Sequence, residues 1–326
     1  MKFATYKDAS RDGQLLVVSR DLSSAHYATG IANKLQQVLE DWNFMSPQLQ
    51  DLYELLNSGK ARHAFPFEPS RCMAPLPRAY QWVSSTAFTH HAELMRKAAG
   101  MEAPGKRAAG PQLVQGGSDG FSGPCDDLLA DGDALDLDFE AQIAVITADL
   151  PKGATPEQAL DGVRLLMLAN DVSLRRLLSG DAAYGAGLLQ GKPGAAFSPV
   201  AVTPDEAGEA WRQGRLHLTL QSTLNGRKVG MCEAGPEMTF HFGQLISALC
   251  RTRDVRAGSI VGSGAVSNLD PGHGYSCIAE KRALEMLQDG KAKTRFMKPG
   301  DSLRIEVKGN NGQSVFGAIE QKVAAP

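Results

Sequence analysis

The run LDFEAQIAVI, residues 137–146, alternates in a way that puts Glu140 and Gln142 on one face of a strand, one pleat apart. A carboxylate beside a carboxamide is half of an arrangement for holding something polar, and only one of the two carries charge. Asp171 and Arg175 form a second pair. They are four residues apart and share a face if that segment is helical, as a structural salt bridge or as a clamp for a substrate carboxylate. His90 and His91 open HHAELMRKAAG, in which Leu94, Met95 and Ala98 fall at helical spacing and Gly100 is placed to end the helix. An imidazole at a helix start is either a capping group or a general base; His90 is assigned no role. Lys192 sits in the glycine-flanked loop GKPGAAFSP, the ordinary place for a surface lysine. Glu280, beside Lys281 and Arg282 in CIAEKR, reads on its own as a solvated helix charge.

The elements around these residues are mostly strands. KFATY, QLLVVS and HYATG open the chain as short strands, followed by helical segments near IANKLQQVLEDW and SPQLQDLYELLNSG. Ser46 and Pro47 are the expected N-cap and first residue of the second helix. The proline-punctuated CMAPLPRAYQW, 72–82, reads as a linker between a small domain, 1–71, and a large one, 83–326. Beyond it, FEAQIAVITADL, VRLLMLAND, RLHLTLQSTLNGRKVG, GSIVGSGAVSN and DSLRIEVKGNNGQSVFGAIEQKV read as strands. Asn225-Gly226 and Asn311-Gly312 signal hairpins. Helices are expected at EQALDGV and TFHFGQLISALCRT. The class is a β-rich α+β fold. No GxGxxG joins a strand to a helix, so a dinucleotide site is not expected.

Composition bounds the partners. With 43% hydrophobic and 21% charged residues the 326-residue chain has the make-up of a soluble globular protein. A formal net charge of −2 gives no reason to expect nucleic acid or an anionic membrane. MKFATYKDAS lacks the apolar stretch of a signal peptide, and no run reaches transmembrane length. Five cysteines at 72, 125, 232, 250 and 277 include no CxxC, which argues against a zinc ribbon or a disulfide scaffold. A cytoplasmic location is expected.

From Pro75 onward the blocks APLPRAYQW, HxELMRKAxG, QGGSDxFxGP, LDFEAxIAVIT, ANDVSLR, GKPxxAFSPVAVTPDE, GSGxVSN and GYSCIAEKR resemble, in order, the fumarylacetoacetate hydrolase family, in its bacterial branch with a small extra N-terminal domain. The resemblance implies a mixed β-roll or sandwich catalytic domain of the fumarylacetoacetase type behind a small N-terminal α/β domain, and a homodimer. It implies a small carbonyl-bearing substrate of the β-diketo acid class, cleaved at a C–C bond next to a carbonyl with the help of Mg²⁺ or Ca²⁺. His91 matches the family's general base, Glu280 the carboxylate that orients it and Lys192 the donor to a developing oxyanion. Arg175 is the further candidate for contacting substrate.

The metal half departs from the pattern. The family's four acidic ligands fall at 84, 140, 142 and 171, which here read Ser84, Glu140, Gln142 and Asp171. Ser84 stands where an acidic ligand is lost and Gln142 offers at most a neutral oxygen. Charge count tunes affinity for hard cations, so a weakly bound divalent cation, or none, is expected. Three pocket positions also drift from the family pattern: Val114 stands for a usual Tyr, Leu178 stands near a family Gln and Ala265 replaces a Thr. Three functions remain open on these residues. One is C–C hydrolysis, in a diketo acid or a bulkier analogue. Another is decarboxylation, isomerisation or cyclisation with little or no metal. The third is a non-catalytic binding protein.

Overall fold

The structure, a computed structural model, describes residues 1–101, 110–130, 135–183 and 189–325. An eleven-stranded sheet runs through the molecule. Its order is Phe65–Pro66, Ser24–Tyr27, Gln14–Val18, Lys2–Tyr6, Ala201–Val202, Val163–Asp171, Ala141–Thr147, Ile260–Gly262, Trp82–Ser85 and Leu113–Gly116, with Ala195–Phe197 pairing to Val163–Asp171 off this path. The N-terminal strands therefore extend the same sheet that carries the later ones, joined where Lys2 and Phe3 pair with Val202 and Ala201. Period-two alternation explains how they cover both faces. Phe3, Leu15 and Val17 pack with Leu35, Val38, Leu49 and Tyr53 of the N-terminal helices, while Ala4, Tyr6, Leu16 and Val18 join the larger core on the other face.

The central strands Ala141–Thr147 and Val163–Asp171 are nearly continuous apolar runs, as expected for strands covered on both faces. Gln142, Asn170 and Asp171 lie together at one end of the pair. Gln142 pairs in register with Ala169, and the Asp171 amide donates to Glu140 O at 3.0 Å, which brings Glu140, Gln142 and Asp171 to one place.

A second, five-stranded sheet is built from Arg227–Glu233, Thr219–Leu224, Ser302–Val307, Ile319–Ala324 and Leu128–Leu129. Asn225 and Gly226, at φ 52° and 72°, form the tight turn between its first hairpin partners, as their types predict. Asn311-Gly312 lies in the longer connection closed by a Lys308–Ser314 bridge.

Two helical expectations need correction. The helix carrying SPQLQDLYELL starts at Trp42, and Pro47 lies inside it. Trp42 packs edge-on to Phe3, so tertiary packing sets the start, and Pro47 removes a single intrahelical bond near the N-terminal end. Asp171 and Arg175 do not share a helical face. Asp171 ends a strand, and the helix Arg175–Ala183 begins at the arginine itself. The helix expected at HHAELMRKAAG spans Thr89–Ala98, with Gly100 at φ 69° just beyond it. It packs beside Ile278–Asp289. Among the described residues, no helix is long and apolar enough to cross a membrane.

Candidate active site

His91 and Glu280 are each the third residue of their helices, and the packing of those helices sets the two first turns side by side. His91 Nδ1 lies 2.6 Å from Glu280 Oε2, and Ser267 Oγ donates to Glu280 Oε1 at 3.0 Å. The carboxylate is buried, at the positive end of its helix, with both oxygens engaged. Position within the helix, a buried anion and a hydroxyl together fix the imidazole. With Nδ1 committed to the carboxylate, Nε2 is the ring nitrogen that can take up a proton. His90 turns elsewhere, into a shallow depression with Thr89, Glu93 and Pro236.

The same helix start is held from below. Asp138 is fully buried and accepts the Ile278 and Ala279 amides at 2.7 and 2.9 Å. Arg175 Nε donates to Asp138 Oδ2 at 2.9 Å. Arg175 Nη2 lies 2.8 Å from Asp138 Oδ2 and 2.7 Å from Glu140 Oε1, close ion pairs whose N–H vectors are not aligned for hydrogen bonds. Burial pushes the Asp138 carboxyl up against the pull of Arg175 and the two amides. With three N–H groups donating to it and a guanidinium in contact, Asp138 is the anion of this pair at neutral pH. Burial works against the Arg175 charge as well, but Glu140 and Asp138 outweigh it and raise its pKa. Arg175 therefore ties Asp138 to Glu140, the salt-bridge role rather than a clamp open to substrate, and its partners are not the Asp171 that sequence spacing suggests.

Lys192 is directed at the remaining carboxylates. Its Nζ lies 2.8 Å from Asp171 Oδ2, 2.7 Å from Ser173 Oγ and 3.2 Å from Glu140 Oε2. Ser173 Oγ in turn donates to Glu140 Oε1 at 2.8 Å, so the hydroxyl relays between ammonium and carboxylate. Burial alone would lower the Lys192 pKa; Asp171 and Glu140 outweigh it and raise it. For Glu140, burial raises the carboxyl, and Lys192 and Arg175 more than reverse that. The three N–H bonds of Lys192 are already directed at protein acceptors, so service to a substrate oxyanion would require exchanging one of them.

Gln142, fully buried, completes the cluster. Its Nε2 lies 3.0 Å from Ser84 Oγ, 3.3 Å from Asp171 Oδ2 and 3.4 Å from Glu140 Oε2. Its Oε1 accepts the Gly264 amide at 3.0 Å, with Ser84 Oγ at 3.2 Å. Trp82 Nε1 approaches Asp171 Oδ1 at 3.4 Å. The resemblance implies that residues 84, 140, 142 and 171 hold a hard divalent ion. They are brought together here, but as one hydroxyl, one carboxamide with its nitrogen turned inward and two carboxylates already facing protein donors. That donor set does not fit a cation that wants several anionic or carbonyl oxygens.

The altered pocket positions flank this cluster. Val114 pairs in register with Ser84, Ala265 is buried beside Cys277 and Ala279, and Leu178 packs against Gly191 at the foot of the Lys192 loop. Cys277, His91 and Glu280 have donor atoms within 4.8 Å of one another. Burial raises the Cys277 thiol well above its ordinary range, keeping it neutral. Sequence reasoning missed Ser267, Ser173, Asp138 and Trp82. Each lies inside or next to a quoted block, but a lone Ser or Trp there carries no signal until its partner is in place.

A half-buried histidine held by a buried carboxylate thus lies beside an ionic cluster at one end of the central strands. The chain belongs to the fumarylacetoacetate hydrolase family: residues 81–324 match the fumarylacetoacetate (FAA) hydrolase C-terminal model, and residues 1–78 match fumarylacetoacetase N-terminal domain 2. No curated protein matches the sequence. Among solved structures, a maleylpyruvate hydrolase from Sphingobium sp. SYK-6 is similar at TM-score 0.66 and 14% identity, covering 100% of both chains. A fumarylacetoacetate hydrolase from psychrophilic Exiguobacterium antarcticum is similar at 0.62 and 17%, also over 100% of both. A 5-carboxymethyl-2-hydroxymuconate delta-isomerase from Mycobacterium smegmatis is similar at 0.61 and 14%, again over 100% of both. At these identities the likeness is one of fold.

Proposed function

We propose that this chain is an enzyme acting on a small carbonyl compound, with His91 as general base and Glu280 as the group that positions it. The observation that carries this reading is the 2.6 Å contact of His91 Nδ1 with a buried carboxylate that Ser267 also holds. A capping histidine has no need of a buried anion fixed from two sides. In the hydrolytic form, His91 Nε2 takes a proton from water and the hydroxide adds to the substrate carbonyl carbon. The tetrahedral intermediate then collapses, and the electron pair of the breaking C–C bond goes to the departing carbon. That carbon, as its enolate, recovers a proton from the imidazolium.

A second reading keeps the base and changes the outcome: His91 removes a proton from the carbon next to the carbonyl and returns it elsewhere, an isomerisation. The engagement of Glu140 and Asp171 by protein N–H groups favours it, because a proton shift does not require a ligand that grips two substrate oxygens. Both readings include a cytoplasmic homodimer. The compartment is supported by the five free cysteines.

The test is proton NMR in D₂O with acylpyruvates and fumarylacetoacetate. Cleavage releases two acids. Isomerisation gives a single product of unchanged mass apart from deuterium. Neither cleavage, isomerisation nor exchange across the panel would remove the proposal in favour of a binding protein.

A further inference from the structure

We propose that the Gln142 carboxamide and the Lys192 ammonium permanently occupy the place of the divalent ion, so that the carboxylate cluster is complete without metal. Three independent features carry this. The first is position. Gln142 Nε2 is within 3.4 Å of each of the other three side chains of the set, Ser84, Glu140 and Asp171, so an N–H₂ group sits at their common centre.

The second is orientation. The amide is held with its nitrogen inward because the Gly264 amide donates to its oxygen. Gly264 is at φ 78°, and a Cβ there would lie 2.0 Å from Ser85 O, so that stretch of backbone requires glycine. A Cβ on Gly262 would lie 2.5 Å from Gln142 Oε1. Two glycines thus build the cradle that receives the amide oxygen. Turning the amide over would set its N–H₂ against the Gly264 N–H and its oxygen against two carboxylates.

The third is charge and saturation. All four oxygens of Glu140 and Asp171 face protein donors: Ser173 and Arg175 on Glu140 Oε1, Lys192 and Gln142 on Glu140 Oε2 and Asp171 Oδ2, and Trp82 on Asp171 Oδ1. Three carboxylates, Asp138, Glu140 and Asp171, meet two cations, Arg175 and Lys192. Acids at 84 and 142 would leave a surplus of three negative charges instead of one, and it is that surplus which calls for a divalent ion.

The experiment is calorimetric titration of the EDTA-treated protein with MgCl₂ and CaCl₂, paired with thermal melts in millimolar metal and in EDTA. The unaltered protein is expected to give no saturable heat below millimolar metal and the same melting temperature in all conditions. The paired change Ser84→Asp with Gln142→Glu is expected to gain at least tenfold in affinity and to melt higher with Mg²⁺ or Ca²⁺ present. Lys192→Met, which uncovers the two carboxylates, is expected to melt lower than the unaltered protein and to be partly restored by metal. Micromolar binding by the unaltered protein, or an EDTA-induced fall in its melting temperature, would overturn the proposal even if no variant folds. These readouts do not depend on a substrate, so they stand or fall apart from the reaction proposed above.

Discussion

Replacing Glu280 by glutamine separates orientation from charge at the His91 pair. The side chain keeps its shape, and its carbonyl oxygen can still accept from Nδ1–H while its amide nitrogen faces the Ser267 hydroxyl, which can turn to accept. What is lost is the negative charge that stabilises the imidazolium formed during proton transfer. A hydrogen bond to a charged group contributes about 1.5–3 kcal/mol and a neutral one about 0.5–1.5 kcal/mol, so the difference is roughly 1–2 kcal/mol. Spread over the transition state, that is about a 5- to 30-fold fall in kcat. KM should hold, because Glu280 is buried behind the imidazole rather than set toward substrate. The assay is steady-state kinetics on whichever panel compound turns over, with circular dichroism to confirm the fold. An unchanged kcat, or a loss confined to KM, would refute the claim that Glu280 positions and charges the base.

Two further outcomes follow from the ionic framework. Arg175→Met leaves Asp138 and Glu140 buried without their shared cation; breaking a buried pair from one side typically costs about 3–5 kcal/mol, so the urea midpoint should fall by the corresponding amount. Asp301 is largely buried and paired with Arg295, which lowers its carboxyl to about 2. Because its folded pKa is depressed below the unfolded value near 4, its contribution is fully present above that value and is lost as pH falls toward 2. Asp301→Asn should therefore cost about 2 kcal/mol at pH 7 and little near pH 2, read from denaturant melts at both.

The strand-borne half of this site was largely legible in the sequence. Glu140 and Gln142 share a face because period two leaves no choice, and the register with Val163–Asp171 then delivers Asp171. The helical half was legible only in part. His91 and Glu280 were placed by the family blocks; nothing local to HHAELMRK or CIAEKR says that the two helices pack together. The pairing of Arg175 was misplaced because spacing four was read as helical, whereas Asp171 closes a strand and the arginine reaches back to Leu137–Asp138. Pro47 misled for a similar reason: its local preference for a helix start yields to the packing of half-buried Trp42 and Met45 before it and of buried Leu49 and Tyr53 after it. The direction of the Gln142 amide could not be read at all. It depends on a glycine backbone more than a hundred residues away.

The most direct test of the account is the rate at which His91→Ala turns over acylpyruvates in D₂O, by cleavage or by exchange of carbon-bound protons, set beside the unaltered protein in the same NMR experiment. General-base loss should slow that turnover by about 10²–10⁴, with the fold intact and added imidazole restoring part of the rate. Turnover at the unaltered rate by a folded His91→Ala protein would contradict it.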